Sequence, residues 1–126
     1  MPDRESFARW IEGYRVAASS DDPQQITVLF TEDAEYWDGP FGQPWRGHDE
    51  ILQSWTKQSD KPYEWDFDYE VFAVDGTRAV AQIEYRYRSP QAATYRNAWL
   101  IELDDDGRAR LFKDYWIEDP ITKQDS

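Results

Sequence analysis

The chain of 126 residues contains no cysteine. Disulfides, thiol nucleophiles and Cys-ligated metals are therefore excluded. It has a single histidine, His48, so His-rich metal sites and paired-His chemistry are excluded too, and no metal is expected. His48 follows Gly47 at a helix start, where it reads as a solvated first-turn residue. No apolar stretch approaches the length of a membrane span, and the N-terminal "MPDRESFARW" lacks an apolar signal-like run. Basic residues are few: 14 Lys and Arg stand against 26 Asp and Glu, for a net charge of -12. Phosphate binding needs a basic face, so nucleic acid is not an expected partner. The same charge disfavours an anionic membrane surface. The absence of cysteine fits a cytoplasmic location. No repeat, low-complexity block or linker divides the chain, and residues 1–126 read as one domain.

Aromatic residues are abundant: 7 Trp, 8 Tyr and 6 Phe. They can fill a small core or line a pocket for a flat apolar ligand. "RESFARWIEGYRVAAS" sets Phe7, Trp10, Ile11, Tyr14 and Ala18 at helical spacing. Asp22 before Pro23 is a cap and first-turn pair, predicting a second helix that buries Ile26, Leu29 and Phe30. "AEYWD" reads as a short strand. "GHDEILQSWTKQ" reads as a third helix with Ile51, Leu52 and Trp55 inward. The period then changes to two. Tyr63, Trp65, Phe67, Tyr69 and Val71 alternate with Glu64, Asp66, Asp68 and Glu70. After the "DG" hairpin signal, Ala81, Ile83, Tyr85 and Tyr87 share one face. "TYRNAWLIEL", the turn "DDDG" and "RARLFKDYWIE" complete a four-stranded antiparallel run. Helices followed by strands predict an α+β class, with the helices on one face of a curved sheet that encloses a pocket. The acidic row on the first long strand is expected on the outer face, balanced by Arg86, Arg88 and Arg96.

This element order, with "DGPFGQPWRGHDEI" and "DDDGRARLFKDYW", resembles the SnoaL-like proteins of the nuclear transport factor 2-like superfamily, from about Phe7 to Asp119. The resemblance implies a cone-shaped α+β fold of three helices on a curved antiparallel sheet. It does not fix an activity, because one fold carries many functions. Among superfamily members the motifs are most similar to ketosteroid isomerase, which uses an Asp base and an oxyanion hole of a Tyr and a protonated Asp. Counting forward along the first strand puts Asp38 at the base position; counting back from "PFGQP" puts Gly39 there. Tyr14 falls at the oxyanion tyrosine, or Trp10 if a gap is allowed. Trp99 stands where the family has its protonated Asp. Asp114 looks like the pocket carboxylate of relatives that include epoxide hydrolases. The Arg and second Asp those hydrolases need are replaced by Tyr85 and Tyr87.

The resemblance therefore implies two readings. In the first, Asp38 is the base, Tyr14 a hydrogen-bond donor and Asp114 a second acid. The protein is then a cofactor-free isomerase, cyclase or dehydratase acting next to a carbonyl of a flat, uncharged compound. Trp10, Phe30, Trp55, Tyr85, Tyr87, Tyr95, Asn97, Trp99 and Trp116 would face the cavity. In the second, the cone is a non-catalytic module for a small hydrophobic molecule or a protein partner, and Asp38 is a turn residue before Gly39-Pro40. A homodimer through the outer sheet face, with Phe72, Val74 and Leu100, is expected in both.

Overall fold

A computed structural model describes residues 2–20, 22–58, 64–89 and 92–120. Tyr63, expected at the start of the first long strand, lies outside them. Helix α1 (Arg4–Ser19) begins at Asp3, whose side chain accepts from the Ser6 amide while Ser6 Oγ accepts from the Asp3 amide. This reciprocal cap fixes the helix start. Phe7, Trp10, Ile11 and Tyr14 form its buried stripe, joined by Ala17; Ala18 is half-buried. The predicted second helix is a tight 3-10 segment, Pro23–Leu29, capped by Asp22. Phe30 is not its last buried residue but the first of strand β1 (Phe30–Asp38), which is longer than "AEYWD" suggested. Strand β2 (Trp45–Arg46) pairs back on β1 and leads into helix α2 (Gly47–Gln58). Gly47 makes this entry with φ of 76°, where a Cβ would sit 3.2 Å from the Glu32 carbonyl oxygen.

Strands β3 (Glu64–Asp75), β4 (Arg78–Ser89), β5 (Ala93–Leu103) and β6 (Ala109–Glu118) form the antiparallel run. The sheet is larger than that run. It has six strands in the order β2-β1-β6-β5-β4-β3, and β1 lies parallel to β6. This mixed, curved, open sheet sets Asp38 directly beside Asp114. A sequence period cannot show that pairing.

The inner face is apolar. Phe67, Val71, Ala81, Ile83, Trp99, Ile101 and Phe112 meet the buried stripe of α1 and Ile51 of α2. Phe112 is central, with ring centroids 5.1 Å from both Trp10 and Trp99. Each such buried aromatic contributes about 3–5 kcal/mol relative to alanine. The alternation of β3 is broken at Phe72, where the register with β4 shifts. A bulge reverses the face of every residue after it. Val74, expected on the outer face, therefore packs against the core, while Phe72 is exposed. The acidic row is on the outer face as expected: Arg86 bridges Asp66, Asp68 and Glu84, and Arg88 bridges Asp66. These exposed pairs are worth about 0–1 kcal/mol each.

Candidate functional site

The inner face of β1 carries Ala34, Tyr36 and Asp38 in alternation, and the neighbouring face of β6 carries Phe112, Asp114 and Trp116. Asp38 ends its strand. Gly39 makes the turn with φ of 94°, and its amide donates to the Asp114 carbonyl at 2.8 Å. The strand-to-turn boundary therefore falls after Asp38. Asp38 is exposed, and its Oδ1 accepts from Trp116 Nε1 at 3.0 Å. Its expected apolar flanks do not cover it. Trp37 alternates to the outer face under Lys113, and Phe41 is 87% exposed at the loop tip.

Asp114 is the more deeply set carboxylate. Its Oδ1 accepts from Asn97 Nδ2 at 2.8 Å and from Trp99 Nε1 at 3.0 Å. Both donors come from β5, the next strand in the sheet. Burial pushes the Asp114 carboxyl up to about 7, and the nearby charge of Asp38 pushes the same way. The bonds from Asn97 and Trp99 favour the carboxylate and hold the rise in check. A carboxyl poised near neutrality can both take and return a proton.

Two phenols sense the charge of this carboxyl. Tyr14 of α1 and Tyr36 of β1 are buried, with their hydroxyls 3.2 Å apart. Burial raises the pKa of each well above the ordinary value, and the charge of Asp114 adds to both shifts. They stay protonated. One hydroxyl proton serves the bond between them, and the second can be donated to a third group.

Most expected cavity residues divide by depth. Trp10, Phe30 and Trp99 are buried in the core: each is at most 3% exposed. Trp99 is fully buried among the rings of Tyr14, Phe67 and Phe112. Trp55 is half-buried against Tyr14 and Tyr36. Toward the open end, Trp116, Tyr95, Tyr87, Tyr85 and Trp65 form a continuous arc of ring contacts across β6, β5, β4 and β3. His48 is not a solvated first-turn residue. Its Nε2 lies 2.9 Å from the Phe30 carbonyl oxygen and ties α2 to β1. Tyr36 was missed in the sequence, although it shares the period-two face of Asp38 in "AEYWD". Among the described residues, no group of three or more acidic or histidine side chains is placed to hold a metal ion.

Helices packed on one face of a curved, open, mixed sheet, with a raised carboxyl and two phenols between the layers, define a class of small α+β proteins. The chain belongs to the SnoaL-like domain family, whose model matches residues 7–112. A search of curated proteins finds no significant match. Among solved structures, it is similar to SalBIII, an epoxide hydrolase/cyclase-like enzyme of pyran ring formation in the polyether salinomycin. That match has a TM-score of 0.75 and 14% identity, covering 93% of this chain and 95% of that one. A SnoaL-like polyketide cyclase, so described, from Shewanella denitrificans OS-217 gives 0.74 and 19%, covering 94% and 93%. A protein of cystatin-like fold from Caulobacter vibrioides gives 0.71 and 18%, covering 97% and 94%. At these identities the likeness is one of fold. Among the described residues, no helix is long and apolar enough to cross a membrane.

Proposed function

We propose that the protein binds a small, flat, largely apolar molecule at the mouth of the cone and moves a proton on it, with Asp114 as the general base. The reaction class is isomerisation, cyclisation or dehydration next to a carbonyl, of the kind known among SnoaL-like proteins. The observation that carries this reading is the Asp114 carboxyl: held by Asn97 and Trp99, and raised to about 7 by burial. Its pKa matches a base working near neutral pH. The Tyr14–Tyr36 hydroxyl pair supplies a donor to the developing oxyanion. Asp38 serves by its charge, which adds to the rise that burial gives the Asp114 carboxyl. Asp38 as the base itself is the less favoured assignment, because it is exposed and its Oδ1 is held by Trp116 Nε1 at the end of the strand.

The test is deuterium uptake at carbon next to the carbonyl, across a panel of cyclic and aromatic ketones in D2O. Exchange that is present in wild type, lost in Asp114→Asn and kept in Asp38→Asn fits the proposal. Equal exchange in wild type and Asp114→Asn removes Asp114 as the base. A non-catalytic binding module is the second reading. It is favoured by Trp99, which is fully buried against Tyr14 where the family resemblance implies a protonated Asp. Binding without exchange for every compound would support it.

A homodimer through the outer sheet face is also part of this proposal. Phe72, Val80 and Leu100 lie on that face, and the first two are exposed. Sedimentation at micromolar concentration giving only monomer would remove it.

A further inference from the structure

One buried polar group beside Asp114 is left unsatisfied by the fold. Asn97 lies in mid-strand on β5 and is 7% exposed. Its partners across the sheet are Ile83 of β4 and Trp116 of β6, an apolar setting. Its Nδ2 donates to Asp114 Oδ1 at 2.8 Å. Its own Oδ1 is closed to water and has no hydrogen-bond partner among the described residues. A buried acceptor without a donor is costly. Leucine has the same branched shape and would fill this place without that cost. The amide is therefore poorly explained as a stabilising residue.

What the amide does is confined to Asp114. Among the described residues, two groups donate to that carboxyl, Asn97 Nδ2 and Trp99 Nε1, and both meet Oδ1. Oδ2 takes neither bond and, unlike Asn97 Oδ1, is not closed to water. Asp38 and Tyr36 of β1, Tyr14 of α1 and Tyr85 of β4 share charge interactions with Asp114 but give it no hydrogen bond. Trp99 is fully buried among rings, so its indole is a fixed donor. One fixed donor leaves a carboxyl free to pivot about the bond. A second donor two residues along the same strand holds it in one orientation.

We propose that Asn97 is a positioning residue of the base: its amide, retained although it costs the fold stability, pins Asp114 Oδ1 together with Trp99 and leaves Oδ2 as the one oxygen that takes the substrate proton. The inference rests on Asp114 being the base. In the step it serves, the C–H bond next to the carbonyl breaks. The proton goes to Oδ2 and the electron pair to the carbonyl oxygen. Return of the proton restores the carboxylate. Asn97 touches Asp114 and not the substrate, so it acts on the rate of this step and not on binding.

The experiment is carbon-detected titration of Asp114 in the full chain, wild type and Asn97→Leu, with urea unfolding and deuterium exchange alongside. In wild type the side-chain amide signal of Asn97 and the indole signal of Trp99 are expected to titrate with the midpoint of the Asp114 carboxyl. In Asn97→Leu that midpoint is expected to rise by about one unit, because a bond that favours the carboxylate is gone. The variant should match or exceed wild type in urea midpoint at about pH 5, where Asp114 is protonated, and lose ground to it by about pH 9. On a ketone that wild type exchanges, at about pH 9, the maximal rate should fall about tenfold with KM unchanged. Asn97→Ala removes the same amide and reads the same midpoint if leucine does not fold. An Asp114 midpoint that does not move overturns the inference. So does a loss of stability equal at both pH values, which would make Asn97 an ordinary structural residue. The two readings fail separately. A wild type that exchanges no ketone removes the base, and the hold on Oδ1 with it as a device of catalysis. Exchange that is lost in Asp114→Asn but intact in Asn97→Leu removes Asn97 alone.

Discussion

Replacing Asp114 by Asn isolates one titration from the rest of this acidic protein. The ordinary carboxyl value of 3.8 is raised at Asp114 to about 7. Between these values the folded protein holds a proton that the unfolded chain has released. The stabilising contribution of this group is therefore fully present below about pH 4 and is lost as pH rises through about 7. Above that, a buried carboxylate remains charged beside Asp38. Each pH unit in the window is worth about 1.36 kcal/mol, so about 2–3 kcal/mol is lost between about pH 5 and about pH 8. Asparagine keeps the shape and one oxygen for the Asn97 and Trp99 donors, but it never ionises. Other carboxylates titrate in both proteins and largely cancel in the difference. The assay is urea unfolding of wild type and variant at several pH values in that range. The stability of Asp114→Asn relative to wild type should improve by about 2–3 kcal/mol from the acidic to the alkaline end. Parallel pH profiles, or a carboxyl carbon that titrates near 4 in wild type, would refute the burial argument and with it the base assignment.

Other perturbations act on the same group. Asp38→Asn removes a neighbouring negative charge, so the Asp114 midpoint should move down in a carbon-detected titration; an unchanged midpoint would show that the two carboxylates do not sense each other. Trp99→Phe removes a bond that favours the carboxylate, so the midpoint should rise. It also opens space in a fully buried position, which should cost about 1–3 kcal/mol in urea unfolding. By contrast, Arg86→Ala on the outer face breaks bridges to Asp66, Asp68 and Glu84 that are exposed to water. It should cost no more than about 1 kcal/mol and leave the Asp114 midpoint where it is.

Much of the architecture is written in local pattern. The helical stripe of Phe7, Trp10, Ile11 and Tyr14 and the strict alternation of Trp65 to Val71 each bury one face, and a buried face needs a period. What fails to show has no local cause. The parallel pairing of β1 with β6 joins residues far apart in the chain, and neither strand's own pattern names its neighbour. The bulge at Phe72 is equally silent, because Val74 continues a plausible apolar alternation until the register with β4 shifts. Tyr36 could have been found, since it lies two residues before Asp38 on the same face.

The relation of the two carboxylates follows from that same unread pairing. Taken singly, Asp38 carries every local sign of a site: a strand end, adjacent aromatics and a Gly-Pro turn. Yet a strand end points a side chain outward along the cone as easily as inward, and here the aromatics nearest in sequence face elsewhere. Asp114 sits in mid-strand between Lys113 and Tyr115, where a carboxylate usually belongs to a solvated face. Alternation from the buried Phe112 sends it inward instead, and burial then demands partners. Asn97 and Trp99 meet that demand because β5 runs antiparallel beside it, and Asp38 opposes ionisation because β1 runs parallel on the other side. The proton affinity of Asp114 is thus set by three strands at once. Shifting β1 by one residue against β6 would turn Asp38 to the outer face and put Trp37 beside Asp114. It would remove a charge that holds the carboxyl near neutrality, while leaving the Asp114 bonds to β5 intact.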